Sequence, residues 1–193
     1  MKRVAITGGI GSGKSTVCKA LAAVGGAPIY DSDLRAKQIM NADEATREQI
    51  VALFGPEAYT PEGLNRQFIA TRAFADPTTL ERLNAIVHPR VVADFESWAE
   101  EQQSDYVILE SALLFTSPLV GHYDLAVVVD APLEMRVERC VRRDGATAEQ
   151  VLERIARQMP AEQMRLRGDV TIEADGRDLR AQVEDIDRKI RAL

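Results

Sequence analysis

Residues 8–15 read "GGIGSGKS", set between an apolar "RVAIT" run at residues 3–7 and a helical pattern that begins at Lys14. Gly8, Gly13, Lys14 and Ser15 meet the spacing Gly-x-x-x-x-Gly-Lys-Ser, and the place between a strand and a helix turns that spacing into a physical site. Glycine reaches backbone angles closed to other residues, so successive N–H groups can converge on phosphate oxygens at the positive end of the next helix. In such a loop Lys14 bridges the outer phosphates of a nucleotide. Ser15 sets its hydroxyl on a magnesium ion, and Thr16 reaches the α-phosphate. The plainer reading is a glycine-rich turn that happens to precede a helix, and the presence of every fixed position in the right context argues against it. No Asn-Lys-x-Asp segment of the guanine-specific kind occurs, which favours ATP over GTP.

Outward from the loop, short apolar runs recur between longer helical patterns: Arg3–Thr7, Ala27–Asp31, Tyr106–Glu110, Leu125–Asp130 and Val170–Glu173. That alternation predicts an α/β fold, a parallel sheet with helices on both faces. The run "LAVVVDA" at residues 125–131 is apolar without alternation, as in a strand covered on both sides, so it is expected at or next to the centre. Between Asp31 and Tyr106 lies a helical pattern broken at Gly55-Pro56, Pro61, Asp76-Pro77 and His88-Pro89. It is too long for a crossover and too patterned for disorder, and reads as an inserted helical lobe able to hold a second substrate. A second helical stretch, Leu133 to Arg167, is interrupted at Asp144-Gly145 and Pro160, and Gly176 to Leu193 reads as an amphipathic closing helix.

The chain has 193 residues, 46% of them hydrophobic, enough for one sizeable core. A net charge of -6 gives no basic field of the kind that holds nucleic acid. Cys18 and Cys140 sit in helical patterns without zinc spacing and read as reduced thiols. No apolar run approaches the roughly 18 residues that span a bilayer. A cytoplasmic protein with no membrane partner is expected.

Carboxylates cluster where strands end. "YDSDLRAK" places Asp31 and Asp33 at the carboxyl edge of the sheet, where open α/β folds bind ligands. Either could accept a proton from an attacking hydroxyl, and either could cap the following helix. Two aspartates this close favour one in each role. Glu110, at the end of "YVILE", could hold a water of a magnesium shell or simply pair with a neighbour. Arg136, Arg139, Arg142 and Arg143 fall at helical spacings, followed by Arg154, Arg157, Arg165 and Arg167. Arginines on a mobile helical lid can neutralise a transferring phosphoryl group, although a solvated face explains most such runs. Arg139 and Arg143 are the expected exceptions. His88, before Pro89, reads as a helix-boundary or packing residue, with no local partner to orient a general base.

Over nearly its whole length the chain resembles the dephospho-CoA kinase family. The resemblance rests on "TGGIGSGKST", "DSDLRAK", "FADP...LERLNAIVHPRV", "ESALLF" and "RCVRRDGAT...RIARQMP", in this order. It implies a P-loop three-layer α/β/α sandwich with a five-stranded parallel sheet, an inserted helical substrate lobe and a helical lid. The core would comprise residues 1–32, 104–132 and 168–193, the acceptor-binding insert 33–103 and the lid 133–167. The implied reaction is transfer of a phosphoryl group from ATP, with Mg2+, to the ribose 3′-hydroxyl of dephospho-CoA. The implied residues are Asp33 as base, Gly11, Ser12, Gly13, Lys14, Ser15, Thr16 and Arg143 on ATP, and Arg139 as the lid arginine. Ser15 and Glu110 would attend the metal, while Arg72, Phe74, His88 and Arg90 would lie in or beside the acceptor lobe. Met164, Thr116 and the loop Glu173–Gly176 depart from the family pattern, which often has lysine, glutamate and an asparagine there. A related nucleoside or nucleotide kinase and a non-catalytic ATP-binding module are the rival readings. Oligomeric state is not encoded legibly, with a monomer favoured.

Overall fold

The computed structural model describes residues 1–193, except for the side chain of Phe74. In chain order the elements are β1 (Lys2–Thr7), α1 (Lys14–Gly25), β2 (Ile29–Asp31), α2 (Ser32–Ala42) and α3 (Glu44–Phe54). A short pair follows, β3 (Tyr59–Thr60) and β4 (Gly63–Leu64), then α4 (Arg66–Ala75) and α5 (Pro77–Glu100). The chain continues through β5 (Tyr106–Glu110), β6 (Leu125–Asp130), α6 (Leu133–Asp144), α7 (Ala148–Ala156), α8 (Ala161–Arg167), β7 (Val170–Glu173) and α9 (Leu179–Ala192). It divides into two compact units, Met1–Asp31 with Glu101–Leu193, and Ser32–Glu100.

The first unit carries the five-stranded sheet, in the order β2-β5-β1-β6-β7 with every pair parallel. β1 is central and β6 lies beside it. All of Leu125–Asp130 is buried, as the unalternating apolar run requires. Side chains alternate between faces. Val4, Ile6, Val127 and Val129 pack with Val17, Cys18 and Leu21 of α1 and Val183, Ile186 and Ile190 of α9. Crossovers between parallel strands are right-handed, and β1 to β2 runs across the sheet opposite to β6 to β7. Helices α6–α8 therefore cover the other face, where Gly168 lies so close to Val128 that a β-carbon would collide with it. Met164 is 4% exposed on this side, which suits methionine where a charged residue would be expensive. Both cysteines are free and buried.

At the amino end of the strands the polar groups satisfy one another. The Tyr106 hydroxyl donates to Asp187 Oδ1 at 2.8 Å, and Arg191 Nε donates to Asp187 Oδ2 at 2.9 Å. Lys2 Nζ donates to the Ile190 and Arg191 carbonyls at the end of α9, at 2.8 and 2.9 Å. Burial pushes the Tyr106 hydroxyl well above the ordinary tyrosine value, and the neighbouring Asp187 adds to the shift. Burial alone would raise Asp187, yet the hydrogen bonds from Arg191 and Tyr106 hold it below the usual carboxylate range.

The second unit is helical. Asp43 caps α3 by accepting from Thr46 N at 2.8 Å, and Asn65 caps α4 by accepting from Phe68 N at 3.2 Å. The expected breaks at Gly55-Pro56 and Asp76-Pro77 fall between elements. The one at His88-Pro89 does not: α5 continues through Pro89. A proline inside a helix removes one hydrogen bond and crowds the turn before it. Its ring here lies on the exposed side, while Val87, Val91, Phe95 and Ala99 form a buried stripe at four-residue spacing that holds the helix together. Arg35 binds Asp94 through two hydrogen bonds and ties α2 to α5. The β3–β4 pair has no counterpart in the sequence reading, because its register depends on Asn41 Oδ1 accepting from Leu64 N. Among the described residues no helix is long and apolar enough to cross a membrane.

Candidate active site

Gly13 closes the loop at φ 102°, a left-handed conformation that places it as the cap of α1. The first helical bonds run to its carbonyl, from Thr16 at 3.0 Å and Val17 at 3.1 Å. The amides of Lys14 and Ser15 thus precede the intrahelical ladder, at the positive end of the helix dipole. Lys14 Nζ folds onto the loop, donating to the Gly8 carbonyl at 2.9 Å and the Gly9 carbonyl at 3.3 Å. Ser15 Oγ donates to Glu110 Oε1 at 2.6 Å.

Glu110 ends β5 and is in register with Ile6 on one side and Asp31 on the other. Glu110 thus meets the Ser15 hydroxyl, and Asp31 ends the neighbouring strand level with it, so the donors at this edge of the sheet are oxygens. Among the described residues no group of three or more His, Cys, Asp or Glu could enclose a metal ion. That incomplete set fits Mg2+, which keeps waters and binds through one or two carboxylates together with substrate phosphates.

A cavity of about 640 Å3 opens over the loop. Gly11, Gly13, Lys14, Ser15 and Thr16 form its floor, and Arg139, Arg142 and Arg143 of α6 form one wall. The other wall is the turn after β7, through Ala174, Gly176, Arg177 and Leu179. In a chain of net charge -6 this concentration of guanidinium groups makes the cavity wall locally basic, with Arg143 and Arg177 also pairing with Asp144 and Asp175. Arg139 Nη1 donates to the Gly11 and Ser12 carbonyls at 3.3 and 3.1 Å, and its Nη2 to the Ala174 carbonyl at 2.8 Å. It links loop and turn while lining the cavity. Arg143 reaches the cavity wall and also pairs with Asp144 at 2.7 and 3.0 Å. Burial pushes the Cys18 thiol up, helped by the Glu110 carboxylate beside it, so this cysteine stays a protonated packing group.

The remaining candidates belong to the second unit. Asp33 is exposed and stands within the first turn of α2, which begins at Ser32, so it is not the capping residue. Arg72 lies over the Phe68 ring, 4.3 Å from its centre, in a hollow lined with Asn65, Gln67 and Thr71. Phe74 falls in α4, with its side chain outside the described residues. His88 and Arg90 are two positions apart on α5 and so project to different sides of it. His88 is half-buried in mid-helix and not at a helix boundary, and burial lowers its pKa below the ordinary histidine value. Arg90 is exposed.

One correction concerns Arg136, grouped above with the solvated arginines. It is 7% exposed, and its Nε donates to the Ile10 carbonyl of the loop at 3.0 Å. Helical spacing alone cannot separate an arginine that faces water from one that faces a backbone. Arg142, also grouped above with the solvated arginines, lines the cavity, and sequence reasoning missed Gln158, whose Oε1 accepts from Ile10 N at 2.8 Å, and the roles of Ala174, Arg177 and Leu179 in the cavity wall. The signal for the last three was their place just beyond the end of a parallel strand.

A parallel sheet whose first strand feeds a glycine loop and helix, beneath a basic cavity, defines a phosphate-loop fold of the phosphoryl-transfer class. The profile of the family described as dephospho-CoA kinase matches residues 2–179. A dephospho-CoA kinase of Bacteroides fragilis is 41% identical over 175 residues, covering 90% of this chain and 85% of its own. That of Thermobifida fusca is 40% identical over 192 residues, covering 98% and 93%. A crystal structure of a Thermus thermophilus protein superposes with a TM-score of 0.85 at 36% identity, covering 97% of each chain. The chain belongs to the dephospho-CoA kinase family.

Proposed function

We propose that this protein transfers the γ-phosphoryl group of ATP to the ribose 3′-hydroxyl of dephospho-CoA, giving coenzyme A and ADP, the final step of coenzyme A biosynthesis. The observation that carries the reading is the complete loop at the start of α1 under a cavity lined by lid arginines, in a chain that matches the family over residues 2–179. A related kinase with another acceptor would share the loop, but the match extends through the insert and the lid.

Gly11 to Thr16 bind the ATP phosphates through backbone amides, and Lys14 leaves the Gly8 and Gly9 carbonyls to bridge the outer phosphates. Ser15 and Glu110 would hold Mg2+, which would offset negative charge on the phosphates when bound. Arg139 and Arg143 supply positive charge from the lid wall, and α6–α8 exclude water from the transfer. Asp33 takes the proton of the 3′-hydroxyl as that oxygen attacks phosphorus in line, so no covalent enzyme intermediate is needed. Arg72, Phe74, His88 and Arg90 serve the acceptor lobe. A cytoplasmic location, with a monomer as the favoured state, belongs to the same proposal.

An acceptor panel tests this reading. With labelled ATP and Mg2+, dephospho-CoA should take up label far faster than adenosine, AMP or water. Equal labelling of AMP would move the protein to another acceptor class, and ATP binding without any transfer would make it a binding module.

A further inference from the structure

Ile10, at the apex of the phosphate loop, is held by both of its backbone groups from the lid segment. Arg136, in the first turn of α6, donates from Nε to the Ile10 carbonyl at 3.0 Å. Gln158, just beyond α7, accepts from the Ile10 amide through Oε1 at 2.8 Å. The approach is close enough to dictate loop composition. A β-carbon at Gly9 would collide with the Arg136 guanidinium, and one at Gly11 with the Arg136 carbonyl. Gly11 is therefore required by α6 and not only by phosphate, and a side chain at position 9 would displace the Arg136 guanidinium.

The loop also needs holding. Ser12, two residues on, is 0% exposed, and its hydroxyl is buried without a hydrogen-bond partner among the described residues. Such a group opposes the conformation that strands it. Gly11 and Gly13 add left-handed angles at φ 76° and 102°, and glycine surrenders the most chain entropy when fixed. A loop with these features has no strong preference of its own for the phosphate-binding shape.

We infer that Arg136 and Gln158 are positioning residues that clamp the Ile10 peptide groups, so that the lid segment pre-organises the phosphate loop for ATP. The Ile10 amide is committed to Gln158, which leaves the amides further along the loop to meet phosphate. Neither side chain acts on the reacting atoms. Arg136 is nearly buried, with Asp130 and Arg165 close by, and Asp130 pairs with Arg165 of α8. The segment is thereby joined to the loop and to the end of β6 at once, and displacement of α6 would be felt at Ile10. This inference rests on the reading of the loop as an ATP site.

The test compares Gln158→Leu, which removes the acceptor, with Gln158→Glu, which keeps an oxygen for the Ile10 amide. Amide hydrogen exchange of Ile10 is read by NMR in the whole protein without nucleotide, and ATP affinity is then titrated. The Ile10 amide should be protected in the parent and in Gln158→Glu, and should exchange at least about tenfold faster in Gln158→Leu. ATP should bind about tenfold more weakly to Gln158→Leu, with the dephospho-CoA KM and the melting temperature little changed, and within roughly threefold of parent for Gln158→Glu. Equal Ile10 exchange in parent and Gln158→Leu overturns the clamp, as does unchanged ATP affinity in Gln158→Leu or the same weakening in Gln158→Glu. The exchange arm uses no nucleotide, so it judges the clamp even if the parent fails to bind ATP, a result that would instead strike at the functional reading.

Discussion

The two ends of the parallel sheet are built from the same kinds of residue and do opposite things. At the amino end, Tyr106, Asp187 and Arg191 saturate one another and close α9 onto the sheet. At the carboxyl end, Lys14 and Arg139 rest on backbone carbonyls, and Arg142, Arg143 and Arg177 face an open cavity. A network whose charges are matched internally holds the fold. At the carboxyl end Lys14 and Arg139 can exchange carbonyl partners for a phosphate, whose full negative charge attracts a cation more strongly than a neutral carbonyl does, while Arg143 and Arg177 also pair with Asp144 and Asp175. Stability and chemistry should accordingly respond to mutation at different ends.

The largest expected effect is at the carboxyl end. Lys14→Ala should lower kcat by roughly 10²- to 10³-fold, the scale for losing one group that meets developing charge. Its melting temperature should change little, since the lysine donates to two carbonyls of the loop and packs into no core cluster among the described residues. Steady-state kinetics beside calorimetry check both halves. Near-parent turnover would break the comparison at once.

Asp33→Asn follows, with a kcat loss of about 10²-fold, the lower range for a general base. Because Asp33 is exposed in the first turn of α2 and is not its cap, stability should hardly move. Asp31→Asn separates the two aspartates. If Asp31→Asn shows the larger kcat loss, the base has been misassigned.

At the amino end, Tyr106→Phe should leave kcat unchanged and cost about 1–2 kcal/mol, because the buried Asp187 loses a donor. For a chain of this size that corresponds to a fall in Tm of roughly 2–8 °C. Asp187 has its folded pKa depressed, so its contribution is present above the unfolded carboxylate value of about 3.9 and is lost as pH falls through the folded value. The gap between parent and Tyr106→Phe should therefore be widest near neutrality and narrow on acidification. A gap independent of pH would show that packing, and not the hydrogen bond to Asp187, carries the effect.

The smallest effect is expected at His88. Burial keeps its folded pKa below the ordinary value of about 6.5, so the unfolded chain takes the proton first and stability declines as pH drops through that region. His88→Gln should lose about 1–2 °C less than the parent between about pH 7.5 and about pH 5.5. Identical pH profiles would remove His88 as a contributor.

What could be read from the sequence follows physical rules. Strands of the central sheet were legible because a strand covered on both faces is a plain apolar run, as in Leu125–Asp130. The loop was legible because its function fixes residue types at fixed spacing. The continuity of α5 through Pro89 was not, since local proline chemistry argued for a break and the buried stripe from Val87 to Ala99 overrode it. Arg136 was hidden because its burial depends on Gly9 and Gly11, which lie far from it in the chain. The cavity wall at Ala174 to Leu179 carried no periodicity at all, only its place after β7.

The carboxyl end of this sheet is the proposed place of coenzyme A formation. The most direct measurement incubates the parent protein with ATP, Mg2+ and dephospho-CoA and follows the acceptor by mass and phosphorus NMR. The expected product is heavier by one phosphoryl group, with the new phosphate on the ribose 3′-oxygen and one ADP formed per molecule of product. ATP turned over with dephospho-CoA left unmodified, or a phosphate placed on any other oxygen, would contradict it.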